Sequence, residues 1–372
     1  MKALINVNAV LERRIVNDAV IAISGSRIAG IYHGNDVPPL SDFDEIIDGQ
    51  GAFAGPGFVD LHCHAGGDFY FYENPEAAAA HHLAGGTTSM NCTIYHDIGR
   101  QGALDAMDLV RRQKDANRLK NVVGIHFEGP FLNPKYGAHS YGSRAVDPEE
   151  YRTIIERFGD LITLWTVAPE LDGAFAFIRE ALAAGIAVAI GHTEASMEVI
   201  DRAVDLGARV CTHVTNATGT SISPTRYGGT LEVSVDMACI LRDELFLEVI
   251  NDRNGLHVRP GTLRFLIQAA GLDRICGVTD ACTGVKDDTD VNLEPEGLCG
   301  SKLTMNVAAR NFRDNAGLSM CEIFRVCSLN PARALRMDNQ IGSLEPGKLA
   351  DLVLIDSEYN VKSVLLKGEK VI

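Results

Sequence analysis

The sequence predicts an α/β fold, a (β/α)8 TIM-like barrel with a small β-sandwich domain formed by both chain ends. Three observations lead there. Eight short, continuously apolar runs recur through the middle of the chain, at 57–61, 87–94, 121–127, 161–167, 186–191, 208–214, 245–250 and 275–279. Most are followed by amphipathic, helix-like stretches. Apolar strands alternating with helices make a parallel sheet, and eight such units close into a barrel. The two ends of the chain, by contrast, alternate around turns with no helical period. A length of 372 residues suits one barrel with a small appendage.

Each element has its own signal. Residues 1–50 give LINVNAV, AVIAI and RIAGIY, with turns at Ser24-Gly25 and His33-Gly34-Asn35. The barrel helices are read from PEAAAAHHLA, QGALDAMDLVRRQ, PEEYRTIIERF, GAFAFIREALAA, SMEVIDRAVDL and GTLRFLIQAAG. The stretch 225–250 is irregular and leaves room for an insertion. After the eighth strand, LSMCEIFRVCS and PARALRM close the ring. The terminal sheet then resumes near Ile341 with LADLVLID and VKSVLLKGEKVI. The expected division is a small domain of 1–51 plus 341–372 and a catalytic barrel of 52–340.

Composition excludes several classes of function. Lys+Arg number 34 against 49 Asp+Glu, a net charge of −15, which argues against nucleic acid or an anionic membrane as partner. A small anionic substrate still fits, because a pocket can be locally basic. At 46% hydrophobic and 22% charged the chain reads as an ordinary globular protein. Nine cysteines without a CxxC pair indicate neither a disulfide framework nor a thiolate zinc site, and that many free thiols fit a reducing cytosol. The opening MKALINVNAVLERR lacks the apolar core of a secretory signal, and no run reaches the roughly 18 apolar residues of a membrane span. The expected location is cytoplasmic.

In such a barrel the chemistry sits where strands end. Strand one ends Asp60-Leu61-His62-Cys63-His64, and residues i and i+2 of a strand share a face, so His62 and His64 converge. Strand three ends His126-Phe127-Glu128, strand five Gly191-His192-Thr193, strand six Thr212-His213-Val214, and strand eight Thr279-Asp280-Ala281. Four histidines, one Glu and one Asp therefore face one mouth, a ligand set for Zn, Mn or Fe. A lone HxH is weak, but unrelated histidines have no reason to recur at strand ends in register. His81 and His82 fall in the helix after strand one, and His33 and His96 in loops; these four read as structural or solvated. His126 reads as a satisfied core histidine.

These residues carry a resemblance. PGFVDLHCHAGG, GTTSMNCT, HFEGPFLNP, YGAH, GHTEAS, HVTNAT, NGLHV, VTDA and LEPGKLADLVLID resemble the amidohydrolase superfamily, and within it the N-acetylglucosamine-6-phosphate deacetylases, over essentially the whole chain. The EGPF block followed by GAH is the most specific piece. Strand four ends Thr166-Val167-Ala168-Pro169 without a lysine, which disfavours subtypes with a bridging carboxylated lysine and leaves Glu128 as the bridging carboxylate. The resemblance implies a metal held by Glu128, His192 and His213, and a second held by His62 and His64 with Glu128 shared. It implies Asp280 as general base and then general acid, and His139 at the acetyl carbonyl oxygen. Asn216 and Ala217 would meet the sugar phosphate through backbone N–H groups. His257 and Arg226 would also contact it, the arginine from the partner subunit of a homodimer.

The departures cluster at the anion end: Asn216-Ala217-Thr218 for the family's Asn-Ala-Met, Thr225-Arg226-Tyr227-Gly228 for Arg-Glu-Pro-Gly, and Asn254-Gly255-Leu256-His257 for Asp-Gly-x-His. The implied activity is removal of acetyl from an N-acetylated amino sugar phosphate, N-acetylglucosamine 6-phosphate first, with one or two divalent ions, zinc first and iron or manganese as alternatives. Other substrates stay open: N-acetylgalactosamine 6-phosphate, an unphosphorylated N-acetyl sugar or an N-acyl amino acid. A catalytically inactive barrel serving as a binding protein is the reading from another class, and it expects lost ligands or a lost Asp280.

Overall fold

The apolar runs become the strands of one parallel sheet, ordered in space as in sequence. Barrel strands one to eight are Phe58–Asp60, Thr87–Tyr95, Val122–Glu128, Ile162–Val167, Ala187–Ile190, Val210–Cys211, Phe246–Ile250 and Ile275–Val278. This computed structural model describes all residues except 138–140, 220–231, 286 and 295–296. A helix follows each strand: Pro75–Ala84, Gly99–Asp115, Pro148–Phe158, Ala174–Ala183, Met197–Leu206, Val235–Leu241, Pro260–Ala270 and Met305–Ala316. Local chemistry sets several of their ends. Asn74 accepts from Ala77 N, Asp147 from the N–H groups of Glu149 and Glu150, and Ser234 from Met237 N, so each occupies an otherwise orphaned donor of the first turn.

Side chains alternate along the strands. Phe127, Trp165, Val188, Leu247 and Val249 pack outward against helix residues such as Phe177, Ile200 and Leu263. Leu164, Ala189, Val210, Ile250, Cys276 and Val278 instead pack with Val59 and Leu61 as a separate apolar cluster. Nearer the strand ends the interior turns polar. His126 lies between Thr93 and Thr166 at 3.2 and 2.8 Å, and Thr166 bonds Thr212 at 3.0 Å. His126 is thus the satisfied core histidine that its position implied, and burial holds its pKa well below the ordinary value.

The barrel seam is closed at its mouth. Asp280 N donates to His62 O at 2.8 Å, and the N–H groups of His64 and Ala65 donate to Ala281 O at 2.9 and 2.7 Å. Below them the Asp60 carboxylate takes the place of a rung of the ladder. It accepts from Thr279 Oγ1 at 2.6 Å and from the N–H groups of Thr279 and His62 at 3.3 Å each.

The chain ends form the second sheet. Its strands run Glu369–Lys370, Val361–Leu366, Leu352–Ile355, Phe53–Pro56, Lys2–Val10, Ile15–Ser24 and Arg27–His33, with Glu45–Asp48 also paired to Lys2–Val10. Leu4, Val7, Ile21, Ile23, Leu352, Leu354 and Leu365 make its own core. Because Phe53–Pro56 pairs with Lys2–Val10 and Leu352–Ile355, this sheet reaches past residue 51; we propose 1–56 plus 341–372 as the small domain. The hairpin Val291–Glu294/Gly297–Ser301 after strand eight was not anticipated from the sequence. The irregular 225–250 stretch is, in its described part, a helix and strand seven. No helix among the described residues is long and apolar enough to cross a membrane.

The seam gives a stability prediction. Burial pushes the Asp60 carboxyl up to about 7, against its bonds from Thr279 and His62. An unfolded Asp titrates near 4, so the folded protein holds an extra proton between about pH 4 and 7 and loses stability as pH rises through that window. Asp60→Asn removes this loss, so the melting temperature of metal-free wild type should fall relative to Asp60→Asn up to about pH 7 and then run parallel. Asp60→Ala, which leaves buried donors unmet, should cost about 2–4 kcal/mol. Thermal melts across pH check both.

Candidate metal centre and substrate cavity

The convergence begins at Glu128, the last residue of strand three, 3% exposed. Its Oε2 lies 3.0 Å from His64 Nε2 and 3.4 Å from His62 Nε2, while its Oε1 lies 3.0 Å from His192 Nε2 and 3.2 Å from His213 Nε2. One carboxylate thus joins two triads, His62-His64-Glu128 and Glu128-His192-His213. Asp280 Oδ1 stands 3.4 Å from both His62 Nε2 and His64 Nε2. Strands one, three, five, six and eight supply these six groups, as the sequence implied.

Each ring is oriented from behind. His192 Nδ1 donates to Tyr136 O and His213 Nδ1 to Asn216 O, both at 3.0 Å. His62 Nδ1 donates to Glu248 at 3.1 Å. With Nδ1 occupied, the Nε2 lone pairs point inward. The chain passes His192 this closely because residue 137 is glycine: at φ +102, a Cβ there would sit 2.5 Å from His192 Nδ1. His64 is held differently, its ring stacked on Tyr95 with centroids 3.6 Å apart.

The electrostatics favour cations. Burial opposes charge throughout, yet His62, His192 and His213 hold the Glu128 carboxyl well below the usual range. Burial likewise works against Asp280, and His62 and His64 outweigh it, leaving its pKa lowered. The imidazoles of His62, His64 and His213 are raised against the same burial by Glu128 and Asp280. Nε2 atoms 3.1 Å apart, His192 to His213 and His62 to His64, cannot all be neutral acceptors without repelling. A divalent ion between them relieves this, and imidazole with carboxylate is the donor set that suits one. His192, His213 and Asp280 all adopt positive φ, at 48°, 28° and 46°. Such backbone costs of order 1–3 kcal/mol per residue and clusters at working sites.

Above the two triads opens a cavity of about 310 Å³. Glu128, His192, His213 and Asp280 line it near the triads, and Asn216, Ala217 and His257 line it as well. His257 is buried, with Nδ1 3.1 Å from Asp252 and Nε2 without a partner among the described residues. Asp252 also gathers the N–H groups of Asn254, Leu256 and His257, which fixes the turn that the sequence showed only as a departure. Thr218 finds its reason too: Asp236 Oδ1 accepts from Thr218 Oγ1 at 2.7 Å and Thr215 N at 2.9 Å, pinning the Asn216-Ala217 turn. His139 and Arg226 lie outside the described residues.

Some residues gain a place that the sequence did not reveal. His96, read as a loop histidine, is buried at the cavity wall and donates from Nδ1 to Glu128 O at 2.9 Å. His82 is structural, 2.8 Å from Ala65 O, and His33 is exposed. Glu248 had one signal, an acid inside the apolar strand FLEVI. Tyr95 had none.

Residues 53–371 match the amidohydrolase family. The chain belongs to it. This amidohydrolase is a hydrolase with a divalent-metal site. It is 28% identical over 395 residues to the N-acetylglucosamine-6-phosphate deacetylase of Haemophilus influenzae, covering 99% of this chain and 98% of that one. The crystal structure of that deacetylase from Pasteurella multocida superposes with a TM-score of 0.86 at 29% identity, covering 100% of this chain and 99% of the other. A Mycobacterium smegmatis deacetylase mutant in complex with N-acetyl-D-glucosamine-6-phosphate gives 0.86 at 28% identity with the same coverage. The likeness takes in barrel and terminal sheet alike.

Divalent ions should stabilise this amidohydrolase by mass action, by about 2.7 kcal/mol at a hundredfold excess over Kd. Zn²⁺, Mn²⁺ or Fe²⁺ added to metal-free protein should therefore raise its melting temperature by several degrees, and a chelator should reverse the shift. Ca²⁺, which prefers six to eight oxygen ligands, should not act.

Proposed function

We propose that this chain hydrolyses the acetamide of N-acetylglucosamine 6-phosphate, giving acetate and glucosamine 6-phosphate. The observation that carries the reading is one cavity lined by two kinds of group. The histidine triads and Asp280 are one; His257, whose buried Nε2 has no partner among the described residues, and the pinned Asn216-Ala217 turn are the other. Full-length relatives named for this deacetylation support it. His62, His64, Glu128, His192 and His213 are the proposed ligands of one or two ions, zinc in first place and iron or manganese otherwise. When bound, such an ion supplies an acidified water and a Lewis acid.

The chain's own residues do the rest. An amide is a poor electrophile with a poor leaving group, so protons must move in both directions. Asp280 is held as a carboxylate at neutral pH, able to take a proton from water and then deliver it to the departing amine nitrogen. His139 donates to the carbonyl oxygen as negative charge develops there. His257, Arg226 and the backbone near Asn216 and Ala217 hold the phosphate in this reading, since a buried anion without partners is costly. In this reading Arg226 comes from the neighbouring subunit, so the working unit is a homodimer. The free cysteines, all buried but Cys321, fit the cytoplasm.

Asp280→Asn should retain metal and substrate binding yet lose about 10⁴-fold or more in kcat, because both proton transfers go through one group. Near-normal turnover at full metal content would rule the assignment out.

The substrate is tested by amine release from N-acetyl sugars, each with and without its 6-phosphate, and from N-acyl amino acids, on metal-loaded protein. N-acetylglucosamine 6-phosphate should give the highest kcat/KM. Arg226→Ala should raise KM for it about 10- to 100-fold, the loss of a charge-assisted contact, with kcat nearly unchanged. Mixed Arg226→Ala and Asp280→Asn dimers should recover activity, since one pocket then pairs an intact Asp280 with a partner's arginine. A better unphosphorylated substrate, or no recovery, goes against the phosphate and the dimer respectively.

A further inference from the structure

One buried carboxylate has so far no role in the chemistry. Glu248 lies in the middle of strand seven, 0% exposed, with apolar neighbours on both sides along the chain. Its Oε2 accepts from His62 Nδ1 at 3.1 Å and from the backbone N–H of His213 at 3.3 Å, while Oε1 has no partner among the described residues. An apolar side chain would fill this space without the cost of burying a carboxylate. What Glu248 contributes is the pair of bonds at Oε2. Those bonds reach one member of each histidine triad, from strand one and strand six.

We infer that Glu248 is a positioning residue of the metal centre, selecting the His62 tautomer that turns a bare Nε2 toward Glu128 and His64. The inference rests on those residues being ligands. A neutral imidazole carries its proton on either nitrogen, and a proton on Nε2 would point at the ion's place. A carboxylate behind Nδ1 removes that choice and fixes the plane of the ring. The contrast with its neighbour supports this. Among the described residues His64 Nδ1 has no hydrogen-bond partner, and that ring is held by stacking on Tyr95. Within the HxH pair, therefore, Glu248 is the one described residue that orients a ring through Nδ1. The bond to His213 N holds a residue whose φ is +28°, which links the strained turn after strand six to the same carboxylate.

The test is a Co²⁺ titration of the metal-free full-length protein against a competing chelator, for wild type, Glu248→Gln, Glu248→Met and His64→Ala. One of two Co²⁺ equivalents should weaken, by about 10-fold with Gln, which keeps an acceptor oxygen, and by about 100-fold with Met. The other equivalent should weaken less, since Glu248 reaches that triad through the backbone N–H of His213 and not through a ring nitrogen. The metal-free melting temperature should stay near wild type in Glu248→Gln and fall in Glu248→Met, which leaves the His62 and His213 donors without an acceptor. Wild-type affinity for both equivalents in Glu248→Met would overturn the inference. So would an equal loss of both equivalents in Glu248→Gln together with a lower metal-free melting temperature, the signature of a merely structural role. His64→Ala separates this from the ligand assignment. If it removes the weaker-bound equivalent while Glu248→Met does not, only the role of Glu248 fails; if it changes nothing, the ligand set fails.

Discussion

Glu128 is the point on which the rest of the structure depends. Four imidazoles approach its two oxygens within 3.4 Å in a site almost sealed from water. Bringing that many polar groups into a barrel mouth is unfavourable unless each has a partner. The barrel meets this with a polar layer under the site, where Thr93, His126, Thr166 and Thr212 bond one another and Glu248 bonds His62. Only beneath that layer does the ordinary apolar filling begin. The strand ends also bend into positive φ at His192, His213 and Asp280, a local cost carried by the surrounding ladder and by bonds such as Asp280 N to His62 O.

The cavity lining is built on two principles. The triads and Asp280 rest on strand termini whose spacing is dictated by sheet geometry. Asn216, Ala217 and His257 rest on turns after strands six and seven, each organised by one carboxyl group: Asp236 under Thr215 and Thr218, and Asp252 around Asn254, Leu256 and His257. Turns can change length and still be held by such a group.

Much of this was legible in advance. Eight apolar runs fell within a few residues of the eight strands, because a strand buried on both faces must be apolar along its length. His62, His64, Glu128, His192, His213 and Asp280 stood out because they interrupt those runs at their ends. Glu248 did not, since it interrupts a run in the middle, where a charged residue reads as an error in the pattern. His96 was passed over for the same kind of reason: a histidine in a short loop gives no sign that the loop folds back over Glu128. The strand Phe53–Pro56 was assigned to the barrel because its partners, Lys2–Val10 and Leu352–Ile355, are remote in sequence.

By itself the sequence determined the periodicities, the strand and helix order, and the class of side chain at each strand end. These are properties of neighbours along the chain, set by rise, pleat and burial. Tertiary structure alone decided that Asp60 closes the seam through Thr279, that His62 is oriented by Glu248, and that two triads share one carboxylate. Those contacts join residues 219, 186 and as many as 85 positions apart. They exist only once the barrel has closed, because closure brings the ends of strands one, three, five, six and eight around a single point.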